Sequence, residues 1–389
     1  MEKKYSHFQH PNVDILKGKD FLTNDLLTYH GGTLIDEVEK RFAKTFGFKY
    51  ALSTASGTTA IYTMFKSIGL KEGDEVLVQA YTFFATATPL FLLGCKPILV
   101  DTLDNGNIDP KDLEKKITKK TKAVAITHLW GIPCDLDKIQ KIVKKHKLLL
   151  VEDCSHSHGA TYNNISVGNF GICSAWSVGA KKNISGGVGG MFCTNNLSLY
   201  QDAILLNHFN RKDKKDIFNN SPKKDYVTTG TGLNLRLHPF SAFMINEQLK
   251  VYDKTFKEKK EVAEFVIEKL SQIEGIELPY IPKEAQQSYY ALSFLYNKEA
   301  FNNLSKNEFI KMVNEEGAIE IDTPNTTCPL NSYKIFQNSL DNSDNFLSNE
   351  LPNAYKYHSK VFKMPVWYGN ERFEYAKFYI NAIKKVLKK

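Results

Sequence analysis

The chain has 389 residues, 42% of them hydrophobic and 24% charged, with a formal net charge of +8. That length exceeds a single typical core and calls for two domains, or one large and one small, and the composition is that of a globular protein rather than a disordered or fibrous one. No apolar run is long enough for a membrane span, Met1-Glu2-Lys3-Lys4-Tyr5 opens no signal peptide, and no basic stripe carries interleaved aromatics; membrane and nucleic-acid partners are therefore not expected, and a cytoplasmic location is.

In chain order, the first 30 residues are a polar N-terminal segment. From residue 50, short apolar strand candidates follow at Tyr50–Leu52, Glu75–Val78, Pro97–Asp101, Ala123–Thr127, Leu148–Asp153, Ala175–Val178 and Gly190–Cys193. Helical patterns fall between the earlier ones, at Thr59–Ile68, Thr86–Leu93, Pro110–Ile117 and Leu136–His146. Asp109 followed by Pro110 is a helix start: the carboxylate caps free N–H groups, and proline is preset for the first turn. Alternation of this kind predicts an α/β protein with a seven-stranded, mostly parallel sheet covered by helices. The last two strands are joined by a glycine-rich loop without a helix, so one of them runs antiparallel. After a polar stretch near residues 211–231, a long helical pattern runs from Pro239 to Ile273, punctuated by Gly275 and Pro279. A smaller C-terminal α+β domain follows, with strands at Tyr289–Tyr296 and Ile319–Asp322, a helix opened by the capping box of Ser305 and Glu308, and a terminal helix at Arg372–Leu387. Residues 31–255 are thus expected to form the large domain and 256–389 the small one, with 338–349 as a loop. The six cysteines include no CxxC pair and no metal-ligand spacing, which predicts buried thiols and no metal.

Three segments carry chemistry. Ser53-Thr54-Ala55-Ser56-Gly57-Thr58-Thr59 is a turn of small residues opening a helix, where free N–H groups and hydroxyls could hold a phosphate, although the same pattern also serves as an ordinary cap. Val151-Glu152-Asp153 puts an acid at the carboxyl end of an apolar strand, the edge at which open α/β sheets bind ligands. Ser177-Val178-Gly179-Ala180-Lys181-Lys182-Asn183 puts a lysine in a glycine-rich connection between two apolar strands. Each has a bland reading: a cap, a buried ion pair, an exposed turn. Together they supply three of the four things pyridoxal phosphate (PLP) chemistry needs, an amine, a carboxylate for the pyridine nitrogen and a phosphate cradle; the fourth, a flat group for the ring, falls to an aromatic at the same sheet edge.

Taken in order, Gly31-Gly32, Phe42-Ala43, Ser56-Gly57-Thr58, Gly73-Asp74-Glu75-Val76, Tyr81 to Thr86, His128-x-x-Gly131, Glu152-Asp153, Ser177 to Asn183 and Gly232-x-Asn234-x-Arg236 resemble the DegT/DnrJ/EryC1/StrS family of sugar aminotransferases over nearly the whole chain. The resemblance implies fold type I, with residues 31–255 binding PLP, which cycles with its pyridoxamine form. It implies that Lys182 bonds the cofactor and shuttles the proton, that Asp153 faces the pyridine nitrogen and that Phe83 stacks on the ring. Ser56, Gly57, Thr58 and Ser177 would hold the phosphate, and Asn234 would reach it from the partner of a homodimer. Gly31, Gly32 and Arg236 would lie near the substrate, or Arg236 would brace its loop. The chain departs from the family where His156 replaces the usual glutamine near the ring oxygen, where Val188 replaces glutamate, and at Gly179-Ala180-Lys181.

These expectations converge on transfer of an amino group from glutamate or glutamine to a keto-sugar, which the resemblance implies is nucleotide-linked, with a keto-cyclitol as the main rival acceptor. Family members that dehydrate or deoxygenate sugars carry histidine at the lysine position, which Lys182 argues against. A catalytically silent regulator is the remaining alternative.

Overall fold

The computed structural model describes residues 33–324, 326–337 and 351–387. Gly31, Gly32, the N-terminal segment and the expected loop at 338–349 lie outside the described residues.

The elements in chain order are α1 (Thr33–Phe46), β1 (Tyr50–Thr54), α2 (Gly57–Ser67), β2 (Glu75–Gln79), β3 (Tyr81–Phe83), β4 (Lys96–Val100), α3 (Pro110–Lys115), β5 (Thr121–Thr127), α4 (Leu136–Lys145), β6 (Leu149–Asp153), β7 (Thr161–Tyr162), β8 (Ile165–Ser166), β9 (Cys173–Ser177), β10 (Gly190–Thr194) and α5 (Leu197–Asn207). There follow α6 (Pro239–Lys250), α7 (Tyr252–Leu270), β11 (Ile276–Glu277), β12 (Ala285–Gln286), β13 (Leu292–Tyr296), α8 (Lys306–Glu315), β14 (Thr327–Pro329), α9 (Pro352–Lys360), β15 (Val361–Met364) and α10 (Arg372–Leu387).

Seven strands form the main sheet in the order β1-β10-β9-β6-β5-β2-β4. Its central strands are buried on both faces, which is why Val76–Val78 and Ala123–Ile126 are continuous apolar runs rather than alternating ones. Strand β10 pairs antiparallel with both β1 and β9, while the other neighbours pair in parallel, as the missing helix between the last two strands predicts. The carboxyl ends of β1, β2, β5, β6 and β9 consequently share one edge.

A second layer is built on the three-stranded sheet β11-β13-β15. Its core includes Val262, Phe294, Phe309, Phe362, Trp367 and Tyr379, drawn from α7, α8, α10 and these strands. Phe256 on α7 packs against both this core and one core of the main sheet, and the expected division at 255/256 falls beside it.

Four sequence expectations need correction. Thr86–Leu93 is not an α-helix but two short 3-10 turns, Phe84–Thr86 and Thr88–Leu93, because Pro89 lacks the N–H that an α-helix needs in its interior. The helix expected at Pro239–Ile273 breaks at Val251, where the backbone turns to φ −115°, ψ 8°. Tyr289 has φ +55°, so the strand begins only at Leu292. Ile319–Asp322 forms no strand; only Asp322 bridges to Lys363, and Ile319 is exposed.

Candidate active site

Five segments at the carboxyl edge of the sheet and one wall from the second layer enclose a cavity of about 590 Å³. Its lining includes Ser56, Gly57, Thr58, Phe83, Asp153, His156, Ser177 and Lys182, eight of the residues singled out in the sequence. Asn234 and Arg236 are not part of this lining. Asn234 is exposed, on a segment pinned to α5 by bonds from the Leu233 and Leu235 N–H groups to the Leu206 and Asn207 carbonyls. Arg236 donates to the Phe209 carbonyl at 2.5 Å and lies 5.0 Å from the centroid of its ring, which braces the loop.

At the end of β1 the chain turns into α2 with Ser56 as cap. Its Oγ accepts from Thr59 N at 3.1 Å, and Thr59 Oγ1 accepts from Ser56 N at 2.9 Å. Gly57 and Thr58 occupy the first helical positions, whose N–H groups have no carbonyl within the helix to donate to. Gly57 packs so closely against the end of β9 that a Cβ there would lie 2.7 Å from Ser177 Cβ. Only glycine leaves this corner open, and it brings a helix N-terminus and the Ser177 hydroxyl together.

Asp153 ends β6 almost completely buried. Its Oδ1 accepts from Ser155 N at 3.0 Å and its Oδ2 from Thr86 Oγ1 at 2.7 Å. Thr82 Oγ1 lies 3.0 Å from Thr86 Oγ1 and 2.9 Å from Thr127 Oγ1, so a chain of three hydroxyls leads to the carboxylate through Thr86. The neighbouring Glu152 points the other way. It takes N–H groups of Gly168 (2.7 Å) and Phe170 (2.8 Å) and His128 Nε2 (2.9 Å), while His128 Nδ1 accepts from Cys134 N. His128, Glu152 and Cys154 are close enough for a metal, but these internal bonds make the group a lock between loops.

Lys182 lies in the loop between β9 and β10. That loop is folded back by bonds from Lys182 N to Gly179 O, Gly186 N to Val178 O and Val178 N to Gly189 O. Burial lowers the Lys182 amine from the ordinary lysine range to about 8, with the Asp153 charge opposing that shift. The Lys182 Nζ stands 4.9 Å from the Tyr290 ring centroid. Asn183 donates to Ser288 O at 3.0 Å and accepts from Lys259 Nζ at 2.8 Å, tying the loop to α7.

His156 stacks on Tyr290 (centroids 4.3 Å apart, 6° between planes), and the Trp130 ring lies parallel to both, 5.2 Å from His156 and 6.4 Å from Tyr290. Burial, reinforced by the Lys182 and Lys363 charges, holds its pKa well below the ordinary histidine value. Its Nδ1 has no hydrogen-bond partner among the described residues. Phe83 is part-exposed on β3, which pairs with β14 through Thr327. Val188 is 56% exposed at the mouth.

Sequence reasoning missed Trp130, Tyr290, Thr82, Thr86, Thr127, Asp322 and Lys363. Tyr290 was counted as an ordinary strand residue, and nothing local marks Asp322 or Lys363. The threonines and Trp130 sit inside quoted motifs, Tyr81 to Thr86 and His128-x-x-Gly131, which were the available signal.

A parallel-centred sheet whose carboxyl edge gathers a lysine, a buried carboxylate and a helix N-terminus, closed by a second layer, defines an α/β enzyme of fold type I. The chain belongs to the DegT/DnrJ/EryC1/StrS aminotransferase family, whose profile matches residues 14–375. It is similar to GDP-perosamine synthase of Escherichia coli O157:H7, 31% identical over 266 residues that cover 68% of this chain and 70% of that protein. It is also similar to spore coat polysaccharide biosynthesis protein SpsC of Bacillus subtilis strain 168, 27% identical over 374 residues and 94% of each chain. Among solved structures, GDP-4-keto-6-deoxy-D-mannose-3-dehydratase of E. coli with bound hydrated PLP superposes with a TM-score of 0.84 at 25% identity, covering 97% of both chains. Among the described residues no helix is long and apolar enough to cross a membrane.

Proposed function

We propose that this protein is a PLP-dependent aminotransferase that moves an amino group from glutamate or glutamine to the ketone of a sugar, carried on a nucleotide, in aminosugar or surface-glycan biosynthesis. The observation that carries this reading is the meeting of Lys182, Asp153 and the Gly57–Ser177 corner in one cavity. The pocket fits the cofactor on three counts. The corner a Cβ would fill is left open at Gly57, the buried His156 Nδ1 lacks a partner among the described residues, and about 590 Å³ is room for both cofactor and substrate.

When bound, PLP supplies a protonated pyridine ring that draws an electron pair from the carbon bearing the amine. The chain's own residues divide the remaining work. Lys182, with its pKa near 8, has a useful share of free amine near neutral pH, both to bond the cofactor and to carry a proton to and from the reacting carbon. Asp153, fixed by Thr86 and Ser155, presents its charge to the ring nitrogen. Gly57, Thr58, Ser56 and Ser177 hold the phosphate, and neutral His156 offers a donor to the ring oxygen. Phe83, part-exposed toward the cavity, covers the ring.

A homodimer belongs to the same reading. Asn234 is exposed and absent from its own pocket, which suits a side chain completing the partner's phosphate site. A cytoplasmic location suits six buried thiols with no disulfide. The division into a PLP-binding domain over 31–255 and a small domain over 256–389 is part of the proposal.

Dehydration of the sugar is the second reading, favoured by the structural similarity to a dehydratase. Lys182 weighs against it, since family members that dehydrate or deoxygenate sugars carry histidine at this position. A keto-cyclitol remains the rival acceptor. The test is spectroscopic: with PLP the protein should show a visible absorption band that L-glutamate or L-glutamine bleaches, and a keto-sugar should restore it. A band that no amino acid bleaches overturns the reading.

A further inference from the structure

The second-layer wall of the cavity carries one ion pair. Lys363 on β15 and Asp322 in the segment before β14 both line the pocket, with Lys363 Nζ 2.8 Å from Asp322 Oδ1. The two backbones are bonded to each other as well, Asp322 N to Lys363 O at 3.2 Å and Lys363 N to Asp322 O at 3.0 Å. The two Cα positions are therefore fixed beside each other, while the side chains keep their own torsional freedom. The Lys363 charge helps to keep the His156 ring neutral, and the Asp322 charge helps to raise the Tyr290 phenol, so the pair faces the same stack that borders Lys182.

We propose that Lys363 is the anchor for the carboxylate of the amino-acid donor, and that Asp322 is the counter-charge Lys363 leaves when the donor enters and rejoins when a sugar ring takes its place. This inference rests on the two-substrate reading above. One lysine at position 182 means that donor and acceptor use the same pocket in turn. The two differ in charge where they meet the second-layer wall, because the donor brings a carboxylate and a sugar ring brings hydroxyls. A lone cation would suit only the first. A pair can offer an ammonium to the carboxylate and then a neutralised carboxylate–ammonium couple, rich in acceptors, to hydroxyls.

Exposure fits the exchange. The Asp322 side chain is 49% and the Lys363 side chain 21% accessible, so solvent reaches the pair, although Asp322 Oδ1 itself is buried. The other cations serve less well. Lys182 is committed to the reacting carbon, Lys181 sits on an exposed turn, and Arg236 is tied to Phe209 outside the lining.

The experiment compares wild type, K363M, K363R and D322N as holoenzymes in single-turnover bleaching by L-glutamate and L-glutamine, with calorimetric binding of maleate, a dicarboxylate that cannot react. K363M should keep its visible band and melting temperature while its half-saturation for donor and its maleate dissociation constant rise at least tenfold. K363R should recover most of that loss, and D322N, which frees the ammonium, should bind donor several-fold more tightly. Donor half-saturation and maleate binding within twofold of wild type in K363M would overturn the anchor. Wild type that binds maleate through Lys363 but is bleached by no amino acid would support the anchor and overturn the transaminase reading instead.

Discussion

A lysine at the end of a long aliphatic stem is useful as a nucleophile only in its free-base form, so the environment of Lys182 decides its reactivity. Burial lowers its pKa to about 8 and the Asp153 charge works in the opposite direction. In the apoprotein the rate of PLP capture should therefore climb about tenfold per pH unit below 8 and level off above it. Removing the opposing charge in D153N should move that limb to lower pH, a shift that stopped-flow mixing at several pH values would reveal. K182A should lose the visible band and roughly a thousandfold or more in transamination rate, a magnitude set by loss of both bond and proton carrier. Asp153 and Lys182 were legible in the sequence because each signal is local: an acid at the end of an apolar strand, and a lysine in a glycine-rich link. Tyr290, Asp322 and Lys363 were not legible, because their value comes only from where the second layer folds, more than a hundred positions along the chain.

At the scale of elements, the start of α2 is the tightest joint in the pocket. An alanine at Gly57 would place its Cβ 2.7 Å from Ser177 Cβ. G57A should therefore weaken PLP binding by about tenfold or more, about 1.4 kcal/mol, in a fluorescence titration, by pushing the helix N-terminus away from Ser177. Another joint lies on the far side of β1. Glu39 of α1, buried, accepts two bonds from Arg211 at 2.9 Å and two more from Ser53 N and Oγ. E39A would take the carboxylate away from the buried Arg211 guanidinium and should cost about 3–5 kcal/mol in urea unfolding. The element boundaries themselves were readable where a cap or a proline marks them, as at Asp109–Pro110 and Ser305–Glu308. They were misread where the apolar period continues through a break. At Val251 the helical pattern runs on, but α6 contributes to the main-sheet core and α7 to the second, and the chain bends to serve both.

At the scale of the whole molecule, folding buries histidines in uncharged form. His158, ringed by Phe42, Phe46 and Trp176, and His208, whose Nε2 lies 2.8 Å from Ser53 O, both have pKa values lowered by burial to about 3. An unfolded histidine takes up its proton near 6.5, so the unfolded chain binds more protons and stability falls as pH drops from 6.5 toward 3. Each group contributes about 1.4 kcal/mol per pH unit in that window. H158F, which keeps an aromatic among aromatics, should lose about 2 kcal/mol less than wild type between pH 6.5 and 5 in chemical denaturation. The mostly parallel sheet, with one of its last two strands antiparallel, was legible from alternation and from one missing helix; the strand order was not. The way the second layer leans over the sheet was not, because no short-range pattern encodes the contact between two separate cores. That contact has a practical meaning. The cavity is floored by the main sheet and walled by Tyr290, Asp322 and Lys363, so colour depends on both layers staying together. A heated sample that bleaches before its helical signal melts would make the bound cofactor a built-in gauge of the second layer's grip.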